Sequence, residues 1–252
     1  MKEQYPVILG AESFFMKGNE IGILISHGFS GTPQSVRAIG DRFSQLGFTV
    51  LAPRLKGHGT HYNDLEDCTR EDWFRSLEEG YDELQAYCST VFVLGQSMGG
   101  TLALQLAKKY EGIAGLILIN SALTIPTFDI YRNQTAPRFI AEGKPDIKAK
   151  DVYEITYDYT PLKAIHQLQQ LMEETATILT DIKQPIIAMK SMVDHVVPPT
   201  NTEYIVNQVR SNTKQLITLE DSYHVASMDN DQENIVHYSK QFLEQNSKQA
   251  VS

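Results

Sequence analysis

Gly95-Gln96-Ser97-Met98-Gly99-Gly100 sets a serine between glycines, directly after the apolar run Val91–Leu94 and before a helical stretch from Thr101 to Tyr110. A chain that turns from strand to helix this sharply brings the residues two places either side of the serine into collision, hence glycine at 95 and 99. The strain lifts the serine hydroxyl clear of the backbone, where it can attack a carbonyl. A plain glycine-rich turn satisfies the same pattern, but here both flanking elements agree with a nucleophile. Neither GxxxxGK[ST] nor GxGxxG occurs, so the turn is not a phosphate or dinucleotide loop.

A serine hydroxyl is a weak nucleophile at neutral pH. It needs an imidazole to take its proton and a carboxylate to hold that imidazole in one tautomer. Where the serine sits on such an elbow, the partners follow in the order serine, acid, histidine. His166, His195, His224 and His237 follow Ser97. Only His224 comes just after a predicted late strand, in Asp221-Ser222-Tyr223-His224-Val225, and it is the expected base. His166 lies in or beside an irregular segment, His195 adjoins a better candidate acid, and His237 sits on the terminal helix. The expected acid is Asp194, shortly after the run Ile186–Met189. Asp221 shares the loop of His224 and reads as a turn-former, and Asp181 precedes its strand, at the wrong end.

Acyl transfer also needs donors aimed at the developing oxyanion. His27-Gly28-Phe29-Ser30-Gly31 follows the first apolar strand, and its glycines allow a close backbone approach. We assign the donors to the backbone amides of Phe29 and Met98, although a simple turn also fits this loop. His27 fails as the base on chain order. His58 and His61 with Asp64 suggest a metal pair, yet no third strong ligand and no HExxH helix supports one. No metal and no cofactor is expected. Trp73 reads as core.

The elements that must position these residues alternate. Ile21–Ile25, Phe48–Ala52, Val91–Leu94, Leu116–Ile119, Ile186–Met189 and Gln215–Leu219 read as strands, four of them apolar enough to be buried on both faces. Val36, Ile39, Phe43 and Leu46 have helical spacing, as do Trp73, Leu77, Tyr81, Leu84 and Cys88, and the last strand precedes a helix carrying Ile235, Tyr238 and Phe242. The pattern predicts an α/β fold, a mainly parallel sheet between helices with right-handed crossovers. One catalytic domain over 1–252 is expected, with a small cap inserted at about 121–172. That segment has no clean buried strand, contains Pro126, Pro137, Pro145 and Pro161, and scatters its aromatics. It leaves the strand end at Ile119–Asn120, so it would lie over the carboxyl edge, where ligands bind in open α/β sheets.

Composition bounds the partners. The chain has 252 residues, 42% hydrophobic and 21% charged, with a formal net charge of −9. That acidity, without any basic run, argues against nucleic acid and against electrostatic docking on anionic lipid. A small-molecule or lipid ester is the expected partner. Val7–Gly10 is too short for a signal-peptide core and no stretch reaches membrane-spanning length, so a cytoplasmic protein without an integral membrane segment is expected. Cys68 and Cys88 show no metal-ligand spacing and read as reduced, partly buried thiols.

Five segments together carry a resemblance: His27-Gly28-Phe29-Ser30-Gly31-Thr32-Pro33, Pro53-Arg54-Leu55-Lys56-Gly57-His58-Gly59-Thr60-His61, the Ser97 elbow, Asp194-His195-Val196-Val197-Pro198-Pro199 and Tyr223-His224-Val225-Ala226. Nearly end to end, the chain resembles the bacterial, Bacillus-type monoacylglycerol lipase and carboxylesterase group of the α/β-hydrolase superfamily. The resemblance implies a mobile cap over an apolar acyl tunnel, transient lipid-surface contact through that cap, and cleavage of monoacylglycerols to glycerol and fatty acid. It also implies substrate-binding places for Glu154, near the glycerol head group, and Asn120, at the pocket's edge. A solvated carboxylate and a strand-end amide remain open for these two. Within 138–144 the chain departs from its relatives, with Gly143 or Lys144 where they place an apolar residue beside the tunnel. A short-to-medium-chain carboxylesterase and a ligand-binding or sensor protein of the same fold are the alternatives.

Overall fold

The computed structural model describes residues 2–247. Its strands are β1 (Phe14–Met16), β2 (Ile21–Ser26), β3 (Thr49–Ala52), β4 (Thr90–Gln96), β5 (Gly115–Ile119), β6 (Phe139–Ala141), β7 (Tyr159–Pro161), β8 (Ile186–Ser191) and β9 (Lys214–Leu219). Its helices are α1 (Gln34–Gln45), α2 (Tyr62–Glu66), α3 (Arg70–Gln85), α4 (Met98–Lys109), α5 (Pro126–Asp129), α6 (Leu162–Ile178), α7 (Thr200–Gln208) and α8 (Gln232–Ser247). Seven strands form one sheet in the order β1-β3-β2-β4-β5-β8-β9. Only β1 runs antiparallel to its neighbour.

Because side chains alternate across a strand, a doubly covered sheet needs apolar residues at every position. In β4, Val91 and Val93 join the core beneath α3, α4 and α6, whereas Phe92 and Leu94 join the one beneath α1 and α8. Trp73 is fully buried in the first of these cores. The chain winds from β2 outward to β3 on one side and returns to β4 on the other, so the strand order reverses between β2 and β4. A reversal of this kind opens a crevice at the carboxyl ends of the strands. The loop His27–Gly31 and Ser97 stand on either side of it.

All six predicted strands form, within a residue or two of the expected bounds. The sheet also contains β1, and β6 pairs with β7 in a separate two-stranded hairpin. Three residues carry too little alternation to be read from sequence. The spacing that includes Cys88 overruns α3, which ends at Gln85. Between β5 and α6 the chain leaves the sheet at residue 120 and rejoins the body at Leu162; residue 172, the expected end of the inserted segment, lies inside α6 among buried Leu168 and Leu171. Among the described residues no helix is long and apolar enough to cross a membrane.

Candidate active site

Ser97 sits at φ 56°, ψ −123°, a strained left-handed conformation for a residue with a side chain. The surrounding glycines make this turn possible. A Cβ on Gly95 would stand 2.2 Å from the Gly99 carbonyl oxygen, and one on Gly99 would stand 2.3 Å from that of Ser26 at the end of β2. Gly99 therefore serves the approach of the elbow to β2 as well as the turn itself. Across β5, the Ser97 amide donates to the Ile119 carbonyl at 2.9 Å and the Ala122 amide donates to the Ser97 carbonyl at 3.2 Å. The strained residue is held on both sides.

The Ser97 hydroxyl lies 2.9 Å from His224 Nε2. On the other edge of the ring, Nδ1 is 2.8 Å from Asp194 Oδ2. An ionised carboxylate can only accept, so Nδ1 carries the proton and Nε2 presents its lone pair to the serine. The second oxygen, Asp194 Oδ1, accepts the Val196 and Val197 amides at 2.9 and 2.8 Å, which fixes the carboxylate's orientation. Three residues from three strand ends thus meet in one hydrogen-bonded line.

The loop after β2 closes the other side. A Cβ on Gly28 would lie 3.3 Å from Ser97 Cβ, so the backbone there passes directly over the nucleophilic position. Neither the Phe29 amide nor the Met98 amide meets an acceptor among the described residues. Met98 opens α4, whose N-terminal dipole favours negative charge at that point. His27 is fully buried: its Nε2 accepts the Leu55 amide at 3.1 Å, and its Nδ1 lies 2.9 Å from the Gly28 carbonyl. Burial, and secondarily the neighbouring His58, hold its pKa well below the ordinary value, so a neutral imidazole braces this loop.

Residues 19–231 match the family model Hydrolase_4, described as serine aminopeptidase, S33. The chain belongs to the Hydrolase_4 family. A thermostable monoacylglycerol lipase of Bacillus sp. (strain H-257) is 43% identical over 245 residues, covering 96% of this chain and 98% of that protein. A carboxylesterase of Bacillus subtilis (strain 168) is 26% identical, covering 94% and 98%. Among solved structures, one reported for LipS and LipT, two metagenome-derived lipolytic enzymes, superposes with a TM-score of 0.92 at 39% identity, covering 95% of this chain and all of that one. A soluble variant of the Saccharomyces cerevisiae monoglyceride lipase shares the fold at a TM-score of 0.80, with 21% identity and 97% and 94% coverage.

This Hydrolase_4 chain does not put Asn120 in the cavity beside Ser97. Its side chain, 2% exposed, is spent within the protein: Nδ2 donates to Ser191 Oγ and to the His224 carbonyl, both at 2.9 Å, and Oδ1 accepts the Ser191 amide at 2.7 Å. The expected substrate contact at Asn120 is therefore corrected to a tie between β5, β8 and the His224 loop. Its φ of 45° suits asparagine better than most residues. Asn120→Ala should orphan several buried groups, at about 2–4 kcal/mol, and lower the melting temperature by roughly 5–12 °C for a chain of this size. Calorimetry checks this, and a melting temperature unchanged within a degree would refute the role.

Glu154, by contrast, lines the cavity together with Ser97, His224, Phe29, Phe128 and Glu142. Burial pushes the carboxyls of both glutamates up to about 7; at Glu154, nearby His224 opposes the rise and Glu142 adds to it. A carboxyl whose folded pKa lies above its unfolded value contributes stability that is complete below about pH 4.5 and lost as pH rises through 7. Glu154→Gln should therefore gain on the wild type by several degrees in melting temperature between pH 5 and pH 8. A constant difference across that range would contradict the assignment.

The other candidates have local roles. His58 is buried against His27 and Trp73. His61 stacks on Tyr5 and accepts the Asn63 amide at the start of α2, and Asp64 accepts the Gln4 and Tyr5 amides. These three side chains do not converge. Cys68 and Cys88 are free and buried, and burial raises the Cys68 thiol to about 12. Gly143 and Lys144 line the cavity, and a Cβ on Gly143 would meet nothing within 4 Å. Sequence reading missed Glu142, Asp146 and Asp229. Asp146 Oδ2 accepts the His195 and His224 amides at 3.0 and 3.2 Å, and Asp229 accepts the amides of Lys148, Ala149 and Tyr223. No local pattern marks them, because each acts on chain distant in sequence.

Proposed function

We propose that this protein is a serine ester hydrolase that cleaves monoacylglycerols to glycerol and fatty acid, with Ser97 as nucleophile, His224 as general base and Asp194 as the carboxylate that orients it. The observation that carries this reading is the unbroken line from Ser97 Oγ through His224 to Asp194, at 2.9 and 2.8 Å, on a strained elbow. His224 Nε2 takes the serine proton as Oγ bonds to the ester carbonyl carbon, and the oxyanion is received by the Phe29 and Met98 amides. As the tetrahedral intermediate collapses, the C–O bond to the alcohol breaks, and His224 returns the proton to the departing alkoxide. Water, deprotonated by the same imidazole, then attacks the acyl-enzyme, and fatty acid and free serine are regenerated.

The glycerol-ester choice is supported by the Bacillus lipase at 43% identity and by the buried carboxylate of Glu154 beside the serine. Residues 121–161 are read as the cap. Exposed Ile130 and Tyr153, at 68% and 75%, give this cap apolar points for transient contact with a lipid surface. A cytoplasmic setting accords with two unpaired cysteines.

Two measurements test the proposal. A fluorophosphonate should leave its adduct on Ser97 of the folded protein, as read by mass spectrometry, and an adduct elsewhere would displace Ser97. Glycerol release from a monoacylglycerol should exceed alcohol release from a simple ester of the same acid. Turnover of simple esters with negligible turnover of monoacylglycerols would instead favour a carboxylesterase without head-group selectivity.

A further inference from the structure

The polar part of the cavity holds two glutamates, Glu142 and Glu154, that the chemistry at Ser97 does not use. Glu154 is only 8% exposed, yet it accepts no hydrogen bond and meets no cationic partner among the described residues. Its Oε1 faces the loop after β2, 3.0 Å from where a Gly31 Cβ would stand. Glu142 reaches the same loop from the β6–β7 hairpin: its Oε2 accepts from Ser30 Oγ at 3.5 Å and also from the Thr160 hydroxyl. Both glutamates line the cavity that contains Ser97 and His224. Lys144 lines it too but pairs with neither.

A buried carboxyl group without a partner is costly, so a cavity that sets the partnerless Glu154 beside Glu142, held by two hydroxyls on one oxygen only, suits a ligand that brings hydrogen-bond donors. The alcohol of a simple methyl ester brings none. A glycerol monoester brings two free hydroxyls, one for each carboxyl group.

We propose that Glu142 is a second specificity-determining residue, which acts with Glu154 to hold the two free hydroxyls of a polyol leaving group. The inference rests on the glycerol-ester reading above. Thr160 is the positioning residue that orients Glu142, and the more apolar wall formed by Phe29, Ile125, Phe128 and Val196 is left for the acyl chain.

The test uses one acyl group, octanoate, esterified to glycerol, ethylene glycol and methanol, with kcat/KM measured for the full-length wild type and for Glu142→Gln. Wild type should rank glycerol above glycol above methyl. In Glu142→Gln the glycerol-to-methyl ratio should fall about tenfold, the size expected for one hydrogen bond to a charged group. Thr160→Val should lower the ratio in the same direction by a smaller factor, and it carries the test should Glu142→Gln fail to fold. If all three esters decline by the same factor, Glu142 is structural and the proposal falls. It falls equally if Glu142→Gln leaves the ratio unchanged while the wild type does prefer the glycerol ester. If wild type itself shows no preference for the glycerol ester, the glycerol reading fails first. Octanoylcholine completes the set: faster turnover than the glycerol ester, with a larger loss in Glu142→Gln, would mean that the pair reads positive charge and would overturn the polyol assignment.

Discussion

Ser97→Ala is expected to lower kcat by about 10⁴- to 10⁶-fold while the melting temperature stays within a few degrees of wild type. The two halves of this expectation have separate physical grounds. Ser97 Oγ has one partner, His224 Nε2 at 2.9 Å, at a position facing the cavity, so deletion of the hydroxyl leaves no polar group stranded in the core. Alanine at φ 56° carries about the same backbone strain as serine, because both have a Cβ. The elbow should therefore persist without its nucleophile. Steady-state turnover against a monoacylglycerol, together with calorimetry on the same preparation, checks both. Substantial residual turnover would place the nucleophile elsewhere, and a large drop in melting temperature would show that the hydroxyl supports the fold.

Asp194→Asn is expected to cost about 10⁴-fold in kcat, although it removes no atom from the packing. Asp194 Oδ1 accepts two amides, from Val196 and Val197, and Oδ2 accepts from His224 Nδ1. An asparagine in that place keeps its carbonyl oxygen on the two amides, since turning its NH₂ toward them would set donor against donor. The NH₂ then faces His224 Nδ1 and donates to it, which moves the ring proton to Nε2. In that tautomer the nitrogen beside Ser97 has no lone pair with which to take the serine proton. The variant should fold, bind fluorophosphonate slowly and show a melting curve close to wild type. Near-normal turnover would mean that Asp194 is not the orienting acid.

Sequence could show the elbow because everything that constrains it lies within a few residues: the glycines at 95 and 99, the apolar run before and the helix after. Asp194 and His224 were accessible for a different reason. Each follows a strand whose carboxyl end shares an edge with β4, so topology substitutes for distance along the chain. Where neither help is available, reading stops. β1, β6 and β7 are three residues each and carry no measurable period. Glu142 follows Phe139-Ile140-Ala141 with nothing to mark it as buried, and its surroundings are supplied by Ser30 and Thr160, both remote in sequence. Asn120 was correctly placed at a strand end, but its function depends on which neighbours use up its amide, and those are Ser191 and the His224 backbone. The glutamate pair belongs to the same class of fact, since its charge state follows from burial, which no local pattern encodes.

The carboxylates Asp146 and Asp229 have a mechanical consequence. Each joins residues 146–149 to the stretch that ends in His224: Asp146 takes the His224 amide on its side chain and the Val225 amide on its carbonyl, and Asp229 takes amides from Lys148, Ala149 and Tyr223. Lifting this corner of the roof would break charge-assisted bonds on which the imidazole's own backbone depends. On the proposed mechanism admission and activation are then linked: a displacement of 146–149 is expected to carry the His224 backbone with it and so to disturb the line to Ser97.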